Sequence, residues 1–118
     1  MARSAVTVAT MATYQASSKI TKDAFDITNN HSIDVSSVED NKLVIFIESA
    51  STKAATFEIK AGDYSDSSLG DLTIEEAAIG TTSVCIETAR FKDSDGLVLI
   101  DLTSTAGATG NIYAVEHA

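Results

Sequence analysis

The sequence predicts an all-β domain: an antiparallel β-sandwich or small β-barrel, jelly-roll-like or immunoglobulin-like, preceded by an N-terminal arm. Three observations carry that expectation. Short apolar runs recur between Lys42 and Leu102, each bounded by turn residues. No long amphipathic helix and no self-similarity at a period of about 20–50 residues competes with them. The chain is 44% hydrophobic yet holds only four Phe, three Tyr and no Trp, so Ile, Val, Leu and Ala must fill the core. At 118 residues it has the length of one domain with a real interior.

Residues 1–24 stand apart as an arm or edge strand, and residues 25–118 form the single sandwich domain. The first segment is rich in Ala, Ser and Thr and holds three basic side chains (Arg3, Lys19, Lys22) against Asp23. Its best candidate for order is Ala5-Val-Thr-Val-Ala9, a stretch suited to packing on a neighbouring subunit's edge. Ala24–Thr28 reads as a short strand, Asn29-Asn30-His31 as a turn, and Ser32–Val35 as the returning strand, because asparagine tolerates positive φ.

Glu39–Asn41 then leads into the strongest run, Lys42–Glu48. Leu43, Ile45 and Ile47 point one way, Val44 and Phe46 the other. Apolar residues on both sides imply a central strand, or a face that another subunit covers. Ser49–Thr52 is a turn. In Thr56–Ala61 the residues Phe57, Ile59 and Ala61 share a dry face, and Thr56, Glu58 and Lys60 a wet one.

Gly62–Gly70 is the longest loop, after which Leu72 and Ile74 face inward in Asp71–Glu75. Ile74–Ile79 has a helix-like composition but is too short to stand as a helix. In Thr82–Glu87, Val84 and Ile86 are assigned to the core and Cys85 to the opposite face, where it is expected as a small buried hydrophobe. Asp93-Ser-Asp-Gly96 is a hairpin turn joining Arg90-Phe91-Lys92 to Leu97–Leu102, since Asp-Gly favours the primed geometry that matches strand twist. Thr103–Gly110 is a loop of small residues, and Asn111–Glu116 is the closing strand.

Charge narrows the partners. With 17 acidic against 8 basic side chains the net charge is −9, which argues against nucleic acid, whose phosphates demand clustered Lys and Arg. Most of the acids are expected on solvated strand faces and turns. The longest aliphatic–aromatic run, Leu43–Ile47, is too short to cross a bilayer, and the first twenty residues lack the apolar stretch of a signal peptide. A soluble chain made in the cytoplasm is therefore expected. One cysteine allows no intramolecular disulfide.

Catalytic constellations do not emerge. A thiol nucleophile at Cys85 would need a base, and only His31 and His117 are available. Acyl transfer lacks a serine elbow, and Glu75 and Glu76 form the sort of close acidic pair that seventeen acids produce by chance. Zinc spacing and a phosphate-cradling glycine loop are missing. Asp63, Asp66 and Asp71 in one loop, and Asp93, Asp95 and Gly96 in another, fit ordinary turns better than a calcium site, because the later glutamate of an EF-hand is absent. Arg90 and Lys92 beside Phe91 have the chemistry to hold a carboxylate or phosphate, but strand alternation around a core Phe already explains them. The chain is thus expected to be no enzyme, with no catalytic, cofactor-binding or metal residues and no cofactor.

Phe57-Glu-Ile-Lys-Ala-Gly-Asp63, Gly70-Asp-Leu-Thr-Ile74, Glu87-Thr-Ala-Arg-Phe-Lys92, Leu97-Val-Leu-Ile-Asp101 and Ile112-Tyr-Ala-Val-Glu116 together resemble the auxiliary head proteins of tailed bacteriophages, the capsid decoration or stabilising proteins. The resemblance spans roughly residues 40–117 and rests on structural patterns, not on a catalytic signature. It implies a β-sandwich on the outside of an icosahedral shell, commonly a homotrimer, bound to the major capsid protein and located in the virion. Many copies on one shell need only modest individual contacts. The competing expectation is a receptor- or glycan-binding module of a phage head fibre or tail, with Tyr14, Tyr64 and Tyr113 as the aromatic platforms for sugars.

Overall fold

Strict alternation decides the strands, and a computed structural model places them in two packed sheets. It describes residues 2–13, 20–53, 55–64, 68–76, 79–104 and 108–118. The strands are β1 (Ser4–Val6), β2 (Val8–Thr10), β3 (Asp23–Ala24), β4 (His31–Asp34), β5 (Leu43–Ser49), β6 (Ala55–Ile59), β7 (Leu72–Glu76), β8 (Gly80–Ile86), β9 (Leu97–Ser104) and β10 (Gly110–Glu116), with one short helix, α1 (Thr88–Phe91). One sheet, here sheet A, runs β1-β4-β9-β6-β7; the other, sheet B, runs β2-β10-β5-β8, with β3 also against β10. The sandwich is as expected, in the form of two distinct sheets.

Between them lies one core. Leu43, Ile45 and Ile47 of β5 face Ile33 of β4, Phe57 and Ile59 of β6, and Val98, Ile100 and Leu102 of β9 across the interior, all fully or almost fully buried. Phe57 meets Phe25 edge-on, with ring centroids 5.1 Å apart and planes at 65°. Leu72, Ile74 and Val84 close the side of the core where both sheets end. The shortest dimension, 24 Å, is what two sheets about 10 Å apart need once outward side chains are added.

The N-terminal segment binds to this chain's own sheets. β1 runs parallel to β4, Ser4 opposite His31, and β2 runs parallel to β10, Val8 opposite Ala114. Thr7 is the crossing point from one sheet to the other. These two pairings make both sheets mixed, where short hairpin spacing leads one to expect antiparallel neighbours throughout. Arg3 helps to hold β1 through an ion pair with Asp101 at 2.7 Å and hydrogen bonds to the carbonyls of His31 and Ile100.

Several local expectations are corrected. The strand expected over Ala24–Thr28 shrinks to Asp23–Ala24, because Phe25 turns into the core and the Asp26 carboxylate winds the next residues into a turn by accepting from the N–H groups of Thr28 and Asn29. His31 does not sit in that turn. It opens β4, fully buried, and its Nε2 accepts a hydrogen bond from the Asp26 N–H at 3.0 Å. Asn30, at φ 62°, makes the left-handed step that lets it enter.

Arg90 and Phe91 belong to α1, not to a strand. Only Lys92 pairs with Val98, as a single bridge. The turn falls at Asp93–Gly96 as expected but is not primed: Ser94 and Asp95 keep negative φ, the Gly96 N–H donates to the Asp93 carbonyl, and only Gly96 takes the left-handed step at φ 79°. The strand β9 extends to Ser104, further than the Thr103 start of the expected loop. Gly110 is required where it stands: a Cβ there would lie 2.1 Å from the Glu48 carbonyl and 2.7 Å from the Phe25 ring. Among the described residues no helix is long and apolar enough to cross a membrane.

Candidate functional site

The two outer faces of the sandwich differ in chemistry. On sheet A the outward residues are mainly polar and acidic, with Lys60 and Arg3 each held by carboxylates. Lys60 bridges Glu58 at 2.7 Å and Asp71 at 2.8 Å, and Arg3 pairs with Asp101. Hydrogen bonds that Lys60 donates to the Asp71 and Glu58 carboxylates hold its ammonium well above its ordinary pKa, and Lys60 with the Ala61 N–H holds Asp71 below the usual carboxylate range. Asp34 is lowered by the Ser36 hydroxyl and N–H. This is a solvated, net acidic surface: its two cations are paired, while Asp34 and Glu75 are exposed with no ion pair among the described residues.

Sheet B presents the reverse. Alternation turns Val44 and Phe46 of β5, Tyr113 and Val115 of β10, and Cys85 of β8 outward together, since Val44 lies opposite both Val115 and Cys85 and Phe46 opposite Tyr113. The rings of Phe46 and Tyr113 stack at 5.0 Å with planes 8° apart. Val44, Phe46 and Tyr113 are half-buried, and Val115 is covered. Ion pairs mark its margins: Lys42 to Glu39 at 2.6 Å at one end of β5, and Lys22 to Glu48 at 3.0 Å at the other, with Lys22 also 5.3 Å from the Tyr113 ring centre and Asn111 donating to Glu48. The Glu48 partnership raises the Lys22 pKa, and the same contact lowers that of Glu48.

A second feature lies at the side of the sandwich where β7 and β8 are edge strands. A cleft of about 240 Å³ opens there, lined by Leu69, Leu72, Cys85, Ile86, Arg90 and Phe91 among others. Arg90 is a staple and not an anion receptor. Its guanidinium donates to the carbonyls of Gly70, Leu69 and Asp71 and lies 4.7 Å from the Phe91 ring centre. Phe91 is buried, as expected of a core residue.

Cys85 is exposed, contrary to the small buried hydrophobe expected from its sequence neighbours. The alternation that sends it outward, opposite to Val84 and Ile86, is as predicted; β8 is an edge strand, and nothing in the described chain covers that part of its outer side. Its thiol contacts the Asn41 carbonyl at 3.7 Å, and His117 Nε2 contacts the same oxygen at 3.2 Å. No hydrogen bond joins thiol to ring among the described residues, so the two do not form a nucleophile and base in contact. His31 is locked in the core on the other sheet.

The aspartate loops come together, but for structural ends. Asp63 accepts from the Ser94 N–H at 2.9 Å, and Asp93 accepts from the N–H groups of Asp95 and Leu97. Asp71 caps the Ala61 N–H at 2.6 Å. Among the described residues no group of three or more His, Cys, Asp or Glu is placed to hold a metal, and Asp66 lies outside the described residues. Tyr64 is exposed with the Lys92 ammonium 5.6 Å from its ring centre, Tyr113 lies on the outer face of sheet B, and Tyr14 is outside the described residues. The two described tyrosines therefore form no common platform.

Compared with known protein families, curated proteins and solved structures, the chain matches none.

Proposed function

We propose that this protein is a virion structural component that decorates and stabilises the outside of a bacteriophage capsid by binding the major capsid protein. The observation that carries the reading is the asymmetry of the sandwich: a polar, net acidic outer face on sheet A, and an apolar outer face on sheet B centred on Val44, Phe46 and Tyr113. A lining of that kind releases water when a partner covers it, and the contribution scales with apolar area at about 25 cal/mol per Å². In a chain of net charge −9 such a patch directs docking to one side. The resemblance of residues 40–117 to head decoration proteins supplies the identity of the partner.

The role is adhesive. A receptor- or glycan-binding module would present free aromatic faces, whereas the Tyr113 ring is stacked on Phe46. Capsids assembled without this protein, incubated with the purified chain and imaged finely enough to place neighbours, test the reading. The parent and Glu58→Lys should decorate the shell, and Phe46→Asp should not. Equal decoration by Phe46→Asp would refute the sheet B face as the docking surface, and clear, competable hits on a glycan array with no shell binding would refute the capsid role.

A further inference from the structure

Edge strands are templates for further pairing, and folded proteins normally blunt them with short length, charge, proline or a bulge. Four strands at the edges follow that rule. β1 and β2 have three residues each and β3 two, while β7 carries exposed Glu75. β8 does not. It is seven residues long, Gly-Thr-Thr-Ser-Val-Cys-Ile, without a charge or a proline. Its register against β5 runs unbroken from Gly80 opposite Ser49 to Ile86 opposite Leu43, so no bulge twists it away. No described strand pairs with its other side.

The ends of β8 differ in a complementary way. Just before Gly80 stands Ile79, 69% exposed. At the opposite end, beside Ile86, is the cleft lined by Leu72, Cys85, Phe91 and Leu69, the last 67% exposed. A projecting apolar side chain at one end and, at the other, a recess that sets Leu72, Ile86 and Phe91 beside Glu87 and Arg90 suit an isologous contact, because two-fold symmetry brings each end of the strand against the other end of its partner.

From these features we infer that β8 pairs antiparallel with β8 of a second copy of this chain, joining two B sheets across a two-fold axis. One register pairs all seven residues, with Ser83 on the axis. It sets Gly80 against Ile86, Thr81 against Cys85, and Thr82 against Val84 of the second copy. The outward row is then Thr81, Ser83 and Cys85, small and uncharged on both chains. Position 79 falls opposite Glu87, which brings Ile79 of each copy to the recess that Glu87 shares with Ile86, Leu72 and Phe91 of the other. Elsewhere the two chains repel through −9 charges each, so pairing should strengthen as salt is raised. The inference stands independently of the capsid reading. It also departs from the trimer that the family resemblance implies, since a three-fold ring joins two different patches head to tail.

Sedimentation across a concentration series, at low and at raised salt, reads the mass directly. The parent should move from 12.4 kDa toward twice that mass, at lower concentration in high salt. Ser83→Lys, which sets two like charges against each other at an exposed position, should lose the double-mass species while keeping the parent's circular dichroism. Thr81→Cys should give a disulfide-linked dimer with Cys85 of the second copy on mild oxidation, because directly opposed residues of an antiparallel pair have Cα atoms about 4.5–5.5 Å apart. A parent that stays at 12.4 kDa, a mass three times that value, or a Ser83→Lys variant that still doubles would each overturn the inference.

Discussion

Replacing Phe57 by alanine tests the centre of the fold. Phe57 lies mid-strand in β6, opposite Ile74 on one side and Leu102 on the other, and is 0% exposed. Truncating a buried Phe to Ala costs about 3–5 kcal/mol, from lost transfer energy and from the cavity that remains. Its edge-on contact with Phe25 is worth about 0.5–1.5 kcal/mol of such a total. The site has little freedom to collapse, because Phe57 is flanked by paired strands on both sides of β6, so a loss of about 4 kcal/mol is expected. With 118 residues and about 2.1 cal/mol/K of unfolding entropy per residue, that loss lowers Tm by about 16 °C. Differential scanning calorimetry and urea titration measure it. A double-mutant cycle with Phe25→Ala should return a coupling of about 1 kcal/mol. A Phe57→Ala protein melting within a few degrees of the parent would refute the register of β6 against β7 and β9.

Acid stability should fall in two steps. The His31 pKa is lowered from its ordinary 6.5 by burial, against the raising influence of the Ser4 backbone and of Asp26 and Asp23. The unfolded chain therefore takes up the proton first, and stability declines as the pH drops below 6.5. Asp26 is held at about 2, below its ordinary 3.8, chiefly by the Ser4 hydroxyl and then by the Asn29 N–H, so its contribution is complete above pH 3.8 and is lost toward pH 2. Tm measured against pH should show both limbs, and His31→Gln should abolish the upper one alone. Gly110→Ala forces a methyl group into the Glu48 carbonyl and the Phe25 ring and should destabilise by about 1–3 kcal/mol in chemical denaturation. Arg90→Ala frees the Leu69–Asp71 carbonyls and should raise amide exchange in that segment, with a global loss of about 1–2 kcal/mol.

What the sequence disclosed and what it withheld divide along the range of the forces involved. The strands β5 to β10 are legible because alternation is a local signal: Leu43, Ile45 and Ile47 declare their face without reference to any partner. The apolar outer side of β5 is legible for the same reason, but the stacking of Phe46 on Tyr113 is not, since the register of β5 with β10 spans more than sixty residues. Cys85 looks like a core residue by its neighbours and is exposed because β8 ends a sheet, a property of strand order alone. Arg90-Phe91-Lys92 alternates well enough to pass for a strand, and the requirement that Arg90 reach three carbonyls of a distant loop is invisible along the chain. His31 follows two asparagines that do make the turn, which disguises a buried strand start.

The pairing of β2 with β10 joins Val8–Thr10 to Ala114–Glu116, and it has a consequence for biosynthesis. β2 leaves the ribosome about a hundred residues before its partner β10, so this part of sheet B stays open, and the β10-facing edge of β5 stays unpaired, until Gly110–Glu116 has emerged. Nascent chains stalled before Gly110 should stay protease-sensitive at Val8–Thr10, and emergence of β10 should protect that segment.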